Sequence, residues 1–361
     1  MYKKFFMGIA AMAALTLVSC SSDDLDSFSG NSSKNEAISF DGYLGRSAVA
    51  VNGTRGSVLD MTTLPSKHFG VFGNYSSGKD QTFGANLFNN QEVTGTTSST
   101  EGANKVTTWT YGDVKYWPVQ GHIDFLAYAP YDAKYTFKDV ETAFKNTSSI
   151  DFDVENNVAD QKDLLWANAV GQTKDKISNG KVKFQFKHAL SRLGYSVKLK
   201  KKCSSDATIT LKKITLAGSA DGAGTFYTTG TIDLSQTSST GLWNTSKSGK
   251  QKFDWDYSAK PLELSNKEIK NTENEYLFVI PQNFSGTDQL YVIVEYDIKY
   301  NDIATSIENK VSKQLTNQNF EQGKAYTINL TIGRPIEFDA DVTPWTDMTN
   351  TNTDIDINSW E

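Results

Sequence analysis

The chain has 361 residues, with 36 lysines and arginines against 42 aspartates and glutamates, and its formal net charge at pH 7 is -6. This acidic balance excludes a protein that binds nucleic acid through a polybasic surface. Hydrophobic residues form 38% of the chain and aromatic residues 12%, a composition that excludes a wholly disordered protein.

The N-terminus has the pattern of a secretory signal. Two lysines precede an apolar run from Phe5 to Val18, which is too short for the roughly 20 residues of a membrane-spanning helix. The run ends in Leu17-Val18-Ser19-Cys20, which resembles the lipobox of bacterial lipoproteins. We predict a signal peptide over residues 1–19 and lipidation of Cys20. Ordinary cleavage beside an incidental cysteine is the alternative.

The residues after the signal predict a flexible tether, because residues 20–35 are small, polar and acidic. The start of the tether, Ser21 to Asp26, is similar to the acidic tags that direct lipoproteins of Bacteroidetes-type bacteria to the outer face of the outer membrane. Lipidation of Cys20 leaves Cys203 as the only other cysteine, so we expect no intramolecular disulfide. We expect an outer-membrane lipoprotein displayed at the cell surface.

From Glu36 onward, apolar and polar residues alternate with the period of half-buried β-strands. In the first predicted strand, Ile38, Phe40, Gly42 and Leu44 share one face. Similar alternation recurs along the chain, for example in Val182–Phe186, Tyr195–Leu199 and Tyr326–Ile332. Helical patterns are scarce, and the best of them, near residues 140–145, spans only one or two turns. The pattern predicts an all-β, sandwich-like fold.

Length predicts two domains, since 361 residues without a 19-residue signal leave enough chain for two cores of about 150 residues each. A new set of alternating strands begins after the stretch between Lys187 and Leu193. We therefore assign residues 36–189 to an N-terminal β-sandwich and residues 190–361 to a C-terminal one.

Four segments then carry a resemblance to a known family. They are KYWPVQGHIDFLAYAPY (115–131), DLLWA (163–167), FKHALSRLGYSVKL (186–199) and the closing YTINLTI…IEFDADVTPW (326–345). In this order after a lipobox, they resemble the fimbrillin family of Bacteroidetes, the type V pilins and their relatives. The resemblance implies two transthyretin-like β-sandwich domains in tandem, export as a lipoprotein, and assembly into fimbriae by strand exchange between subunits.

Strand exchange requires a sandwich that lacks one strand. Such a sandwich exposes unpaired backbone groups and an apolar groove, which a strand of another chain fills. Because donor and acceptor surfaces differ, the contact is head-to-tail and propagates as a filament. In the family, an arginine-specific protease releases the N-terminal lipopeptide together with the first strand. The resemblance thus marks the strand with Ile38, Phe40 and Leu44 as the one that is displaced.

The chain has four arginines as candidate processing sites. Arg334 precedes a proline, a poor site for such proteases, and Arg192 lies in an apolar stretch that folding should hide. Arg46 and Arg55 remain, and both follow the first strand. Arg55 is favoured because its Asn-Gly-Thr-Arg-Gly context is more turn-like and accessible. The alternative is an uncleaved lipoprotein in which both are ordinary exposed arginines.

The donor strand is expected at the C-terminus, where two segments alternate suitably. One contains Ile336, Phe338, Ala340 and Val342 and looks like the family's own closing strand. The other contains Ile355 and Ile357, followed by Trp360. The tail from Thr346 to Glu361 is therefore the candidate donor, and a frayed terminus is the alternative.

No enzymatic site follows from the sequence. His68, His122 and His188 lack metal-ligand spacing, and the glycines of residues 218–224 lack the third glycine of the dinucleotide fingerprint. Acidic residues of the kind that supply oxygen ligands to calcium fall on the solvated faces of predicted strands. They are Asp151, Asp153, Glu155, Asp339 and Asp341. We predict no enzyme, no cofactor and no metal site.

The sequence favours a structural subunit, stalk or tip, of an adhesive cell-surface fimbria whose partners are other fimbrial subunits. The alternative is a surface-tethered glycan-binding lipoprotein that does not polymerise, and a tip adhesin with a host or bacterial surface ligand would combine both roles. Glycan binding requires exposed aromatic residues. The candidates, most of which are expected in the core, are Trp109, Tyr111, Tyr116, Trp117, Trp243, Trp255 and Tyr257.

Overall fold

The computed structural model describes residues 36–44, 58–78, 85–99, 105–135, 149–177, 180–200, 207–236, 242–243, 248–333 and 338–345. Several predicted features lie outside the described residues. They are the signal peptide, the tether with Cys20, the arginines Arg46 and Arg55, the short helix near 140–145, Cys203, and the tail with Ile355, Ile357 and Trp360.

The described chain is almost entirely β-strand, which confirms the predicted all-β fold. The strands of the first half are β1 (Ser39–Leu44), β2 (Phe69–Ser76), β3 (Ala85–Ser99), β4 (Lys105–Thr110), β5 (His122–Ala129), β6 (Ser149–Asp153), β7 (Leu165–Gln172), β8 (Lys181–His188) and β9 (Ser191–Leu199).

The strands of the second half follow after residue 206. They are β10 (Ala207–Ala217), β11 (Phe226–Asp233), β12 (Ser248–Gln251), β13 (Phe253–Asp256), β14 (Leu262–Glu263), β15 (Ile269–Lys270), β16 (Leu277–Val279), β17 (Gln282–Phe284), β18 (Tyr291–Tyr300), β19 (Ile307–Gln314), β20 (Gln318–Phe320), β21 (Ala325–Ile332) and β22 (Phe338–Trp345).

Helices in the described residues are short. The α-helix α1 (Leu64–Lys67) is one turn, and 3-10 helices occur at Val158–Asp160, Lys174–Lys176 and Glu273–Glu275. In the part of the chain that the structure describes, no helix has the length and apolar character needed to cross a membrane.

The largest sheet has seven strands in the order β1-β8-β7-β5-β2-β3-β4. β1 and β8 run parallel, whereas the other neighbours in this sheet are antiparallel. The long strand β3 pairs with β2 through residues 85–93 and with β4 through residues 94–99. β3 therefore connects two parts of the sheet. β4 and β1 are the last and the first strand in the order, and they nevertheless lie close to each other.

The remaining strands form smaller sheets. Their orders are β13-β10-β18-β19 with β14 beside β10, β12-β11-β6, β15-β9-β21-β22 with β16 beside β9, and β17-β20. The chain passes from the seven-stranded sheet to another sheet at Ala189–Leu190, where the sequence places its domain boundary. β6 nevertheless pairs with β11, which follows that boundary. The division into two sandwiches remains a prediction.

Two hydrophobic clusters lie on opposite faces of the central strands of the large sheet. Phe125, Ala127 and Ala129 of β5 pack into one cluster, whereas Leu126 and Tyr128 pack into the other. Both faces of β5 are therefore buried, which explains why its sequence from Phe125 to Ala129 is a continuous apolar run and does not alternate. The edge strand β1 and its neighbour β8 bury only one face, and their sequences alternate accordingly.

Candidate functional site

The first strand lies at the edge of the seven-stranded sheet, and backbone hydrogen bonds join it to neighbours on both sides. Along β8, its residues pair in parallel register from Ser39 opposite Lys181 to Leu44 opposite Phe186. On the other side, the N–H of Ile38 donates to the carbonyl of Lys115 (2.8 Å) and the N–H of Trp117 donates to that of Glu36 (3.0 Å). Residues 36–44 thus complete the sheet and close a gap in it.

The inward face of this segment is deeply buried. Ile38 and Phe40 are each 1% exposed and Leu44 is 7% exposed. At about 1.5–3 kcal/mol for each buried apolar side chain, these three contribute roughly 5–9 kcal/mol before the cost of ordering the strand. We call the space that they fill the first-strand slot. It is lined by Phe69, Phe88, Trp109, Phe125, Phe184 and Phe186.

Phe40 occupies the aromatic centre of the slot. Its ring centroid lies 5.4 Å from that of Phe88, 5.5 Å from that of Phe125 and 5.7 Å from that of Phe184. The ring of Tyr111 lies 5.3 Å away, and the Tyr111 hydroxyl donates a 2.7 Å hydrogen bond to the carbonyl of Ile38. Edge-to-face and stacked contacts of this kind add to the stabilisation that burial alone provides.

The slot is narrow beside Gly42, where the first strand carries no side chain. A Cβ atom placed on Gly42 would lie 3.2 Å from the ring of Phe186, 3.3 Å from that of Phe69 and 3.6 Å from that of Trp109. An alanine therefore requires shifts of a few tenths of an ångström, and a larger side chain has no room. The slot has four inward positions, at every second residue of the strand. In chain order it accepts a large residue at the first two positions, a small one at the third and a large one at the fourth.

The outward face of the same segment is polar. Tyr43 is 40% exposed, and Asp41 is partly exposed opposite the exposed Lys183 of β8. Lys181 and Gln185, the other outward residues in this part of β8, are exposed as well. The neighbour of the first strand thus presents two lysines along the edge where that strand lies.

The chain is anchored again shortly after the two candidate processing arginines. The N–H of Leu59 donates to Oδ2 of the buried Asp163 (2.8 Å), whose carboxylate also lies 2.9 Å from Nδ1 of His188. The carboxylate of Asp60 accepts hydrogen bonds from the N–H groups of Thr62 and Thr63 at the start of α1. The folded body therefore fixes the chain at Leu44, before both arginines, and at Leu59, after them.

Each of the three histidines lies beside one carboxylate. His68 pairs with Glu92 (2.7 Å), His122 with Asp124 (3.4 Å) and His188 with Asp163 (2.9 Å). Among the described residues, no group of three or more His, Cys, Asp or Glu side chains is placed to bind a metal ion. Two other acidic candidates, Asp151 and Asp153, lie on the exposed face of β6 and accept hydrogen bonds from the hydroxyls of Thr231 and Thr229.

The aromatic candidates for a glycan platform are mostly covered by protein. Trp109, Trp117 and Trp255 are buried, and Trp243 is partly buried with its indole N–H donating to the carbonyl of Ala189 (2.7 Å). Tyr111 and Tyr257 are also partly buried. Of these seven residues, all of which the structure describes, only Tyr116 is more than half exposed, at 54%. Burial of the tryptophans weighs against a binding platform.

At the C-terminus, the segment predicted as the closing strand forms β22. It pairs antiparallel with β21 over eight residues, from Phe338 opposite Ile332 to Trp345 opposite Ala325, and it is the last strand of its sheet. Ala340 is 5% exposed and Val342 packs partly buried against the core. Ile336, the first apolar residue of the predicted pattern, lies outside the described residues.

Sequence patterns reveal only part of this site. The alternation of Ile38, Phe40 and Leu44 identifies the buried face, but Lys115 and Trp117 bind the strand through backbone atoms, which no side-chain pattern signals. The limit on the size of a side chain at the Gly42 position also cannot be predicted from the sequence, because Phe69, Trp109 and Phe186 come from three different strands. A glycine inside an alternating strand was the one available signal, since it often marks close approach of another group.

Comparison with protein-family models matches residues 54–360 to the model described as fimbrillin-like. None of the curated proteins compared with the chain matches it. Among solved structures, a fimbrial protein from Bacteroides vulgatus is similar at 20% identity and a TM-score of 0.64, over 86% of this chain and 99% of that one. This likeness shows a shared fold.

Two further solved structures are more distant. A fimbrial assembly protein from Parabacteroides distasonis has 12% identity and a TM-score of 0.39, over 77% of this chain and 90% of that one. The tip fimbrial protein Mfa3 from Porphyromonas gingivalis has 10% identity and a TM-score of 0.36, over 77% and 92% of the two chains.

Proposed function

The chain belongs to the fimbrillin-like family, and we propose on that basis that it is a structural subunit of a cell-surface fimbria that supports adhesion. It is exported as a lipoprotein through the signal at residues 1–19 and anchored to the outer membrane by lipids on Cys20. Proteolysis after Arg55 or Arg46 then separates the anchor and the first strand from the rest of the chain. The tether, residues 20–35, leaves with them.

The observation that carries this proposal is the position of residues 36–44. They form an edge strand that closes a slot lined with aromatic rings, and they precede both candidate cleavage sites. While the chain is intact, the first strand and the slot belong to one molecule. A first strand that leaves the slot then rebinds it intramolecularly. Cleavage converts the strand into a separate peptide, which is lost by dilution once it dissociates.

Departure of the strand leaves unpaired backbone groups on β8 and at residues 115–117, together with the exposed aromatic lining. A strand from another subunit restores both the hydrogen bonds and the apolar burial. Its gross contribution is of the same order as that of the first strand, roughly 5–9 kcal/mol, before the cost of association. Each subunit carries one slot and one donor strand, and the two are different surfaces. Contacts between subunits are therefore head-to-tail, and each added subunit offers a free surface to the next one, so that a filament grows.

The donor belongs to the C-terminal part of the chain. One candidate is the tail from Thr346 to Glu361, with Ile355, Ile357 and Trp360, and the other is the segment from Ile336 to Val342. The partners are other fimbrial subunits, of this or a related sequence. The proposal includes no catalysis, no cofactor and no metal.

Treatment of the purified mature chain with an arginine-specific protease tests the proposal. We expect the new N-terminus to be Gly56 or Ser47 and the processed protein to form ladders on size-exclusion chromatography and filaments under the electron microscope. The matched control carries Arg46→Lys and Arg55→Lys, which retain the charge but remove the cleavage sites, and it should stay monomeric. A processed chain that stays monomeric at high concentration would overturn the proposal.

A further inference from the structure

Two segments of the chain, far apart in sequence, share one pattern. Residues 38–44 read Ile-Ser-Phe-Asp-Gly-Tyr-Leu and residues 336–342 read Ile-Glu-Phe-Asp-Ala-Asp-Val. The first, third and fourth residues are identical, the fifth is glycine or alanine, and the seventh is aliphatic. The first segment fills the first-strand slot, and the second contains the beginning of β22.

The four inward positions of the first strand set the requirements for any strand that replaces it. They hold Ile38, Phe40, Gly42 and Leu44, and the rings of Phe69, Trp109 and Phe186 leave room for no more than a methyl group at the third position. In the same direction and register, residues 336–342 place Ile336, Phe338, Ala340 and Val342 at these positions. The first two positions then receive the same residues as before, the third receives alanine in place of glycine, and the fourth receives valine in place of leucine.

The direction of the incoming strand follows from the same requirement. In the reverse direction, the four inward positions would receive Val342, Ala340, Phe338 and Ile336. Phe338 would then face the rings of Phe69, Trp109 and Phe186, where even a Cβ atom makes close contacts. A reversed strand shifted by two residues puts Ala340 at the third position, but it puts Val342 in the place of Phe40 and Pro344 in the place of Ile38. The direction parallel to β8, which is that of β1, places Ile336 and Phe338 where Ile38 and Phe40 lie and also keeps a small residue at the third position.

The C-terminal tail does not meet the requirements. If Ile355 and Ile357 take the first two positions, Ser359 takes the third and Glu361 the fourth, so a carboxylate enters the apolar place of Leu44. A shift by two residues puts Ile357 at the narrow third position. A shift by one residue turns the polar set Asp354, Asp356 and Asn358 inward.

We propose that the first-strand slot of a processed subunit takes residues 336–342 of a second copy of this chain, parallel to β8, with Ala340 beside Phe186. This inference rests on the proposed function and selects one of its two candidate donors. The size of the residue at the Gly42 position determines which strand enters and in which register.

Charges on the outward face favour the same register. Lys183 lies opposite Asp41 in the intact chain, and Asp339 takes the place of Asp41 in the second segment. Lys181 lies opposite Ser39, whose place Glu337 takes. The first strand places one acidic residue opposite the two exposed lysines of β8, whereas the incoming strand would place two there. Opposite charges on directly paired residues stabilise a sheet.

The second segment is also available for exchange. β22 is the outermost strand of its sheet, paired with β21, and its only two described inward residues are the small Ala340 and the partly buried Val342.

Cysteine cross-linking tests the register. In the full chain with Cys203→Ser, the variant Asp339→Cys with Lys183→Cys places the two thiols on directly paired strands after processing, within reach of a disulfide. We expect ladders of covalent multimers under oxidising conditions after treatment with the arginine-specific protease, and none before it. The control, Asp339→Cys with Lys187→Cys, is four residues out of register and should give no ladder. Equal ladders from both pairs would overturn the proposal.

Size variants test the narrow position. Ala340→Leu should reduce the yield of multimers about tenfold or more, whereas Val342→Leu, which matches Leu44 in size, should retain it. Because Ala340→Leu also disturbs the donor's own sheet, the decisive variant adds Phe186→Ala, which enlarges the slot and should restore multimers to the level of Phe186→Ala alone. Failure of this rescue, or full multimer formation by Ala340→Leu, would overturn the inference.

The outcomes separate this inference from the function on which it rests. If the processed parent chain forms no multimers, the proposed function fails. If the parent forms multimers but loses them on deletion of Thr346–Glu361 and retains them in Ala340→Leu, the tail is the donor and the present inference is wrong while the function stands.

Discussion

The N–H of Leu59 and the Oδ2 of Asp163 are joined by a 2.8 Å hydrogen bond although 104 residues separate them in sequence. Both residues are buried, and the same carboxylate lies 2.9 Å from Nδ1 of His188. The bond fixes the chain just after the candidate cleavage sites. A cut at either arginine therefore leaves Leu59 in place, and the part of the molecule that becomes free to leave is the first strand.

We predict that Asp163→Ala destabilises the unprocessed chain by about 2–4 kcal/mol, because the N–H of Leu59 and the ring of His188 both lose a buried partner. Urea denaturation followed by tryptophan fluorescence measures this loss. Asp175→Ala, at an exposed position, is the matched control and should shift the free energy of unfolding by no more than about 0.5 kcal/mol. Equal midpoints for the two variants would show that the buried carboxylate has no such role.

Arg55 is predicted to be the processing site in preference to Arg46. Arg55→Lys should block release of the N-terminal segment by an arginine-specific protease, while Arg46→Lys should leave the rate of release and the new N-terminus, Gly56, unchanged. N-terminal sequencing of the processed chain distinguishes the two sites. Processed protein that begins at Ser47 would assign the cleavage to Arg46.

Phe40 is predicted to account for most of the first strand's resistance to dissociation. Phe40→Ala removes a ring that contacts Phe88, Phe125 and Phe184, and it should cost about 3–5 kcal/mol in the unprocessed chain. After cleavage, the released peptide should dissociate faster and the lag before multimers appear should shorten. Tyr43→Ala, on the exposed face of the same strand, is the control. A lag that is the same in both variants would contradict this assignment.

The sequence predicts the all-β fold because the alternation of apolar and polar residues indicates which face of a strand is buried. The predicted strand from Val182 to Phe186 lies within β8, and Tyr195 to Leu199 and Tyr326 to Ile332 lie within β9 and β21. In each of these strands, one face packs on a hydrophobic cluster, and the requirement for burial fixes the residues of that face.

Alternation does not report which strands become neighbours. The parallel pairing of β1 with β8 joins residues about 140 positions apart through backbone atoms that every residue possesses. The pairing of β6 with β11 across the predicted boundary is similar. Which strands pair is determined by how the buried faces of the strands pack together. These strand pairings are therefore visible only in the folded structure.

A hydrogen-bonded pair of phenols, one buried and one partly buried, predicts loss of stability in alkaline solution. The hydroxyl of Tyr195 donates a 2.7 Å hydrogen bond to that of Tyr257. Burial raises the pKa of Tyr195 to about 12, and burial together with this hydrogen bond raises the pKa of Tyr257 above its ordinary value of 10.0. In the unfolded chain both phenols ionise near pH 10.

The folded state therefore binds more protons than the unfolded state above pH 10. The contribution of the pair to stability is complete below pH 10 and decreases as the pH rises towards 12, by up to about 1.4 kcal/mol per pH unit for each phenol. Urea midpoints between pH 9 and pH 11.5 should decline less steeply for Tyr257→Phe than for the parent chain, while the exposed control Tyr43→Phe should follow the parent. Because the slope is the measured quantity, a constant loss of stability from the missing hydroxyl cannot imitate the effect. Parallel curves for Tyr257→Phe and the parent would show that this phenol ionises alike in both states.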